Sequence, residues 1–231
     1  MANPFQVLYE DNHLLVVNKP ALLATMGVST GETSLVTQAK DYIKQKHSKP
    51  GNVYLGVVSR LDSFVSGVVV LARTSKAAAR LNEQFRNATV EKVYWAIVPN
   101  CLPAPQSHLH DWLVKNDAKR RMIVVNQNHP QFEQAKQARL EYKTLGTRGN
   151  QCLLQVQPET GRKHQIRVQL ETIGCPIIGD RKYGSDIPFR RGIALHSRRL
   201  VINHPTLKKQ MTFEAAPGQW WDLGGFGELS N

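Results

Sequence analysis

The sequence predicts an α+β fold: a largely antiparallel or mixed central sheet with flanking helices. Three observations lead there. Short β-branched runs outnumber helical periodicities, most of these runs are joined by brief turn-forming segments, and strand and helix do not alternate regularly as a doubly wound parallel sheet requires.

Taken in order, the apolar runs at 7–9 and 14–18 flank Asp11 and Asn12, which tolerate tight-turn geometry, and read as a hairpin. Thr33 or Ser34 caps a helix in which Leu35, Ala39, Tyr42 and Ile43 share one face, ending before the Lys-Pro-Gly breaker at 49–51. A second helix follows Ser75, with Ala78, Leu81 and Phe85 inward. The runs at 67–72 and 93–98 read as buried strands, and 138–145 and 151–157 as paired strands across a turn at 146–150, with 122–125 adding to them. A third helix begins near Arg162, carries the stripe Ile166, Leu170 and Ile173, and stops at Gly174; strands at 194–202 and 210–214 follow. No Gly/Ser linker or repeat interrupts the chain, so 1–231 is expected to form one domain.

Composition narrows the function. The 231 residues are 41% apolar, and 30 Lys and Arg against 18 Asp and Glu leave a net charge of +12. That apolar fraction excludes a disordered chain. No window approaches the roughly 20 apolar residues of a membrane helix, and the first residues lack a signal-peptide pattern, so a cytoplasmic protein without a membrane partner is expected. Cys101, Cys152 and Cys175 are odd in number and widely spaced, which reads as buried thiols and not as a disulfide framework or a zinc site. His108 and His110 lie in a Pro-rich polar stretch and read as solvated. Between 158 and 209 eleven basic residues face four acidic ones, and Lys119, Arg120 and Arg121 form a smaller cluster; this distribution points to a nucleic acid partner.

Two segments carry candidate chemistry. In GVVSRLDSFVSG (56–67), Arg60 and Asp62 stand just before a buried strand, where an Asp alone is most simply a turn residue. In ETGRKHQIR (159–167), Gly161 permits a tight bend, and unpaired N–H groups of a first helical turn converge with basic side chains as an anion cradle. Spacing places Lys163, Arg167 and Glu171 on one side of that helix, so an Arg167–Glu171 surface pair competes with a catalytic arginine.

The order and separation of VVNKP (16–20), SRLDSFVSG (59–67), EKVYWAIV (91–98), ETGRKHQIRV (159–168), GDRKYG (179–184) and ALH (194–196) resembles the RluA-type pseudouridine synthases, over roughly 5–216. The resemblance implies isomerisation of uridine to pseudouridine in ribosomal or transfer RNA by a single catalytic domain with a basic active-site cleft. It places the catalytic carboxylate at Asp62, a residue that displaces or holds the flipped nucleotide at Arg60, a base-stacking ring at Tyr94, a partner of Asp62 at Arg167 and a pocket wall at Leu195. Arg162, Lys163, His164 and Gln165 become substrate-binding residues. Burial raises an Asp above about 3.9, whereas an adjacent guanidinium lowers it by roughly one to three units, so an Asp62–Arg167 pair is both desolvated and charged. Extruding the uridine costs a few kcal/mol, and stacking returns about 1 to 3 kcal/mol per base. The reaction involves no net redox, group transfer or hydrolysis, so neither cofactor nor metal is expected, and the protein is read as a monomer without a protein partner.

The chain departs from the family pattern at four positions: Ser59 stands for a usual His, Val65 and Lys163 each for a usual Thr, and Leu22 for a usual Gly. The RNA-binding domain that many relatives carry before the catalytic domain is also missing from the sequence, so RNA choice is expected to lie in the catalytic domain. Two rivals compete: an RNA-binding protein of the same fold with weakened catalysis, which Ser59 suggests, and a glycoside hydrolase using Asp62 and Glu159. A strongly basic chain with 7% aromatic residues disfavours the second.

Overall fold

The computed structural model describes residues 5–27, 29, 31–48, 50–99 and 102–226; Cys101 lies outside them. In chain order the elements are β1 (Gln6–Glu10), β2 (Leu14–Lys19), α1 (Leu35–Lys46), β3 (Gly56–Val57), β4 (Ser66–Ala72), α2 (Ser75–Arg86), β5 (Glu91–Pro99), β6 (Gln106–Asn116), β7 (Arg121–Val125), β8 (Lys136–Arg148), β9 (Gln151–Pro158), α3 (Gln165–Thr172), β10 (Leu195–Asn203) and β11 (Gln210–Glu214). The class is α+β, as expected. The chain divides into two compact units, one of residues up to Glu91 with Ser197–Pro217, the other of Lys92–His196 with the described residues from Gly218 on.

In the first unit the strand order is β1, β2, β4, β10, β11, with β3 also on β4. The Asp11 carboxylate accepts from the backbone N–H groups of His13 and Leu14, both at 2.7 Å, which closes the β1–β2 turn. Residues 14–17 are wholly buried because helices cover both faces of the sheet, and strand alternation sorts the side chains between them. Leu14, Val16, Val68 and Val70 pack with Ala77, Ala78 and Leu81 of α2, while Leu15, Val17, Val69 and Leu71 pack with Leu35, Ala39 and Ile43 of α1. Ser34 Oγ caps α1 by accepting from Thr37 N at 3.2 Å, and Thr74 Oγ1 caps α2 by accepting from Ala77 N at 3.1 Å, each worth about 1 kcal/mol. Gly67 has φ 117°, and a Cβ there would lie 2.3 Å from Ser197 O, so only glycine admits this approach.

In the second unit the order is β5, β9, β8, β6, β7. The β8–β9 pairing is antiparallel with a bulge between Thr144 and Gly146. β6 corrects the sequence reading, which left 106–116 without an element: His108 and His110 lie on it, opposite Glu141 and Arg139 of β8. Their exposed positions alternate with half-buried Ser107, Leu109 and Asp111.

The third helix also begins later than the sequence suggests. His164 takes φ 54°, a left-handed conformation outside the helix, so α3 starts at Gln165. Residues 165–170 are all buried, and Gly174 (φ 79°) follows its end.

Candidate active site

Asp62 stands in the loop between β3 and β4, half-buried, with Arg60 and Phe64 exposed on either side. The loop is fastened to the segment after β2. Leu22 N donates to Ser63 O at 2.7 Å, and Thr25 Oγ1, on a side chain 3% exposed, bonds to both backbone groups of Leu61. Asp62 O accepts from Val65 N at 3.1 Å, turning the chain into β4.

The segment fastened to this loop follows Lys19, the lysine of VVNKP, which has no exposed surface. Its Nζ donates to Pro20 O at 2.9 Å and Leu23 O at 2.7 Å. Burial pushes its pKa down from 10.5 to about 7, against the upward pull of the Asp62 charge. Lys19 thus holds the 20–23 bend and supplies positive potential to the carboxylate.

Leu22, in place of the family glycine, sits at φ 68° with its side chain 57% exposed. That left-handed backbone costs a leucine roughly 1 kcal/mol or more, and the bond to Ser63 O helps to hold it.

In the second unit Arg167 is 4% exposed, and its guanidinium grips Asp180 through Nε–Oδ2 at 2.6 Å and Nη2–Oδ1 at 2.7 Å. The same guanidinium lies 4.9 Å from the Tyr183 ring centroid. Of the two readings of Arg167, the surface pair with Glu171 does not form: Arg167 faces inward to Asp180, and Glu171 meets Arg121 at 3.4 Å. Lys163 precedes the helix and shares no helical face with either.

Gln165 ties the preceding loop to β8 through both ends of its side chain. Its Oε1 accepts from Thr160 Oγ1 at 2.7 Å and Arg162 N at 3.0 Å, and its Nε2 donates to Arg139 O at 2.9 Å. Arg162 and Lys163 are exposed, Arg162 Nε donating to Gln137 O at 2.8 Å, while His164 Nδ1 meets Tyr183 Oη at 2.8 Å. Tyr94 is half-buried on β5, opposite Val156 of β9, and Leu195 is 4% exposed at the start of β10. Glu159, the glycosidase candidate, is exposed and paired with Arg139 at 2.8 Å.

Lys19, Thr25 and Asp180 were not singled out from sequence. Lys19 and Asp180 lie inside quoted motifs, which was the available signal; Thr25 carried none.

A family model described as RNA pseudouridylate synthase matches residues 13–172. The chain is 35% identical over 222 residues to the dual-specificity RNA pseudouridine synthase RluA of Escherichia coli (strain K12), covering 90% of this chain and 91% of that protein. It is 33% identical over 225 residues to ribosomal large subunit pseudouridine synthase D of Zymomonas mobilis, covering 92% and 69%. Among solved structures, human RNA pseudouridylate synthase domain containing 4 aligns with a TM-score of 0.76 at 26% identity, covering 94% of this chain and 90% of that one. Human RNA pseudouridylate synthase domain containing 1 shares the fold, with a TM-score of 0.73 at 22% identity over 94% and 84%.

Proposed function

This chain belongs to the RNA pseudouridylate synthase family, isomerases of uridine in RNA, and from that premise we propose that Asp62 is its catalytic carboxylate. The observation that carries the assignment is how Asp62 is presented: half-buried, on a loop clamped by Thr25, and electrostatically coupled to the buried Lys19. Such a setting suits a carboxylate that must stay ionised and fixed while it acts at the sugar C1′ or the base C6, or takes a ribose proton. In the overall reaction the C1′–N1 bond breaks, a C1′–C5 bond forms, N1 gains hydrogen and C5 loses it to solvent.

In this reading Arg60 displaces or holds the flipped nucleotide, Tyr94 stacks on the target base, Leu195 lines its pocket, and Arg167 pairs with Asp62. Arg162, Lys163 and His164 contact the RNA, and Gln165 keeps their loop in shape. The two units act as one catalytic domain with its core at 5–216. The substrate is ribosomal or transfer RNA, and the name of the Zymomonas mobilis relative, a ribosomal large subunit pseudouridine synthase, supports the first of these. The enzyme is a cytoplasmic monomer acting without a protein partner; sedimentation of the purified protein tests its mass.

The test is tritium release from RNA labelled at uridine C5, using separate ribosomal and transfer RNA pools. Wild-type release with none from Asp62→Asn is expected. Equal release from the variant would remove Asp62 from the chemistry, and RNA binding without wild-type release from either pool would favour a catalytically weakened binder.

A further inference from the structure

Three cations of the second unit are gathered round one buried hydroxyl. Tyr183 has no exposed surface; its Oη accepts from Met122 N at 3.1 Å and meets His164 Nδ1 at 2.8 Å. One oxygen thereby joins the start of β7, the residue before α3 and the 3-10 turn Arg181–Tyr183. Each segment presents an exposed cation beside the residue so held: Arg120 two before Met122, Lys163 before His164, and Lys182 before Tyr183. Arg121 adds a further tie, its Nη1 donating to Lys182 O at 3.2 Å.

The carboxylates of this neighbourhood are committed elsewhere: Asp180 to Arg167, Glu171 to Arg121, and Asp117 to Lys115. Among the described residues no ion pair involves Arg120, Lys163 or Lys182. Burial, then the like charges of Arg167, Lys163 and Arg120, lower the Lys182 ammonium below its ordinary range, against the opposing charge of Asp180. By contrast, Arg198 and Arg199, in the basic stretch between 158 and 209, are paired with Glu214 and Glu91.

Backbone strain falls at the same place. Arg120 has φ 50° and His164 φ 54°, conformations in which glycine or asparagine rests more easily. The Tyr183 ring at the centre is buried and offers no face to a base, and the half-buried His164 ring stands edge-on to it, with centroids 5.7 Å apart. Uncompensated charge on strained turns, without a stacking surface, suits an anion with several acceptor oxygens.

We propose that Arg120, Lys163 and Lys182 form a subsite for a backbone phosphate of the substrate RNA. It rests on the family reading, which makes RNA the ligand, and it assigns these residues to sequence-independent grip.

The experiment is fluorescence anisotropy over a KCl series, with an unmodified transfer RNA pool and a large-subunit ribosomal RNA transcript as probes. The variants are Arg120→Gly, Lys182→Arg, and a triple Ala variant at 120, 163 and 182, with Lys40→Ala/Lys44→Ala on α1 as control. The triple variant is expected to reduce the slope of log K against log salt by roughly 0.7, the value for one single-stranded phosphate contact. It should weaken low-salt binding roughly tenfold or more, raising KM with kcat held. Lys182→Arg should keep the slope, and so should the α1 control. Arg120→Gly should lose affinity while Tm holds or rises, because glycine relieves the backbone; a fall in both would make Arg120 structural and overturn its place in the subsite. An unchanged slope in the triple variant overturns the proposal. Binding is read whether or not the protein turns over uridine, so absent wild-type tritium release counts against the catalytic role of Asp62 and not against the subsite.

Discussion

The Thr25 hydroxyl serves both backbone groups of a single residue, donating to Leu61 O at 2.9 Å and accepting from Leu61 N at 3.1 Å. Leu61 immediately precedes Asp62, so one side chain fixes the peptide from which the carboxylate projects. Thr25→Val keeps the shape and removes both bonds, leaving two backbone groups unsatisfied at about 1 to 3 kcal/mol each. Because a misplacement of about 1 Å can cost about 10²-fold, kcat should fall roughly 10- to 100-fold with KM for RNA little changed. Thr25→Ser should restore most of the rate. Steady-state tritium release with all three proteins checks this.

The Arg167–Asp180 pair is buried on both sides, with side chains 4% and 1% exposed. Asp180→Asn leaves the guanidinium without its bidentate carboxylate, and breaking a buried pair in this way costs about 3 to 5 kcal/mol. The urea midpoint should drop accordingly. Arg167→Lys should not recover the loss, since an ammonium cannot offer two parallel donors to one carboxylate. Stability within about 1 kcal/mol of wild type in Asp180→Asn would show that the pair contributes little.

Lys19 gives stability a pH dependence of definite sign. Its native pKa of about 7 lies below the ordinary 10.5, so between those values the unfolded chain binds one more proton than the folded one. The cost of the buried charge is carried in full below about pH 7 and is relieved as pH rises. From this group alone, stability should increase by the order of 2 kcal/mol between about pH 7 and about pH 9. Lys19→Met should flatten that rise whatever its absolute stability, which urea titrations across the range will show.

The sequence was most legible where a local rule decides the outcome. Asp11 marks a turn, Ser34 and Thr74 are caps, and residues 14–17 and 67–72 are apolar runs that become strands covered on both faces. It was least legible where partners come from afar. β6 carries His108, His110 and Asp111 because its pairing is set by β7 and β8, and the polar residues hid an alternation that burial makes plain. α3 buries Gln165, Arg167 and Gln169 along with its apolar stripe, and helical periodicity alone does not show that polar positions beside such a stripe are buried too. Among site residues, Arg167 was named while its partner Asp180 was not. The two lie 13 residues apart, beyond any helical spacing, and only the fold joins them.

The first unit takes its last two strands from residues 197–217, although its earlier part ends at Glu91. During synthesis, then, β4 emerges long before the strand that flanks it, and the surface later closed by Ser197 against Gly67 stays uncovered while residues 92–196 are translated. Meanwhile β6, β7, β8 and β9 each have an antiparallel partner close by in sequence and can pair as they leave the ribosome. Translation therefore completes the body of the inserted unit before its host, and a chain stalled before residue 197 would display the open edge of β4 to any other strand in reach.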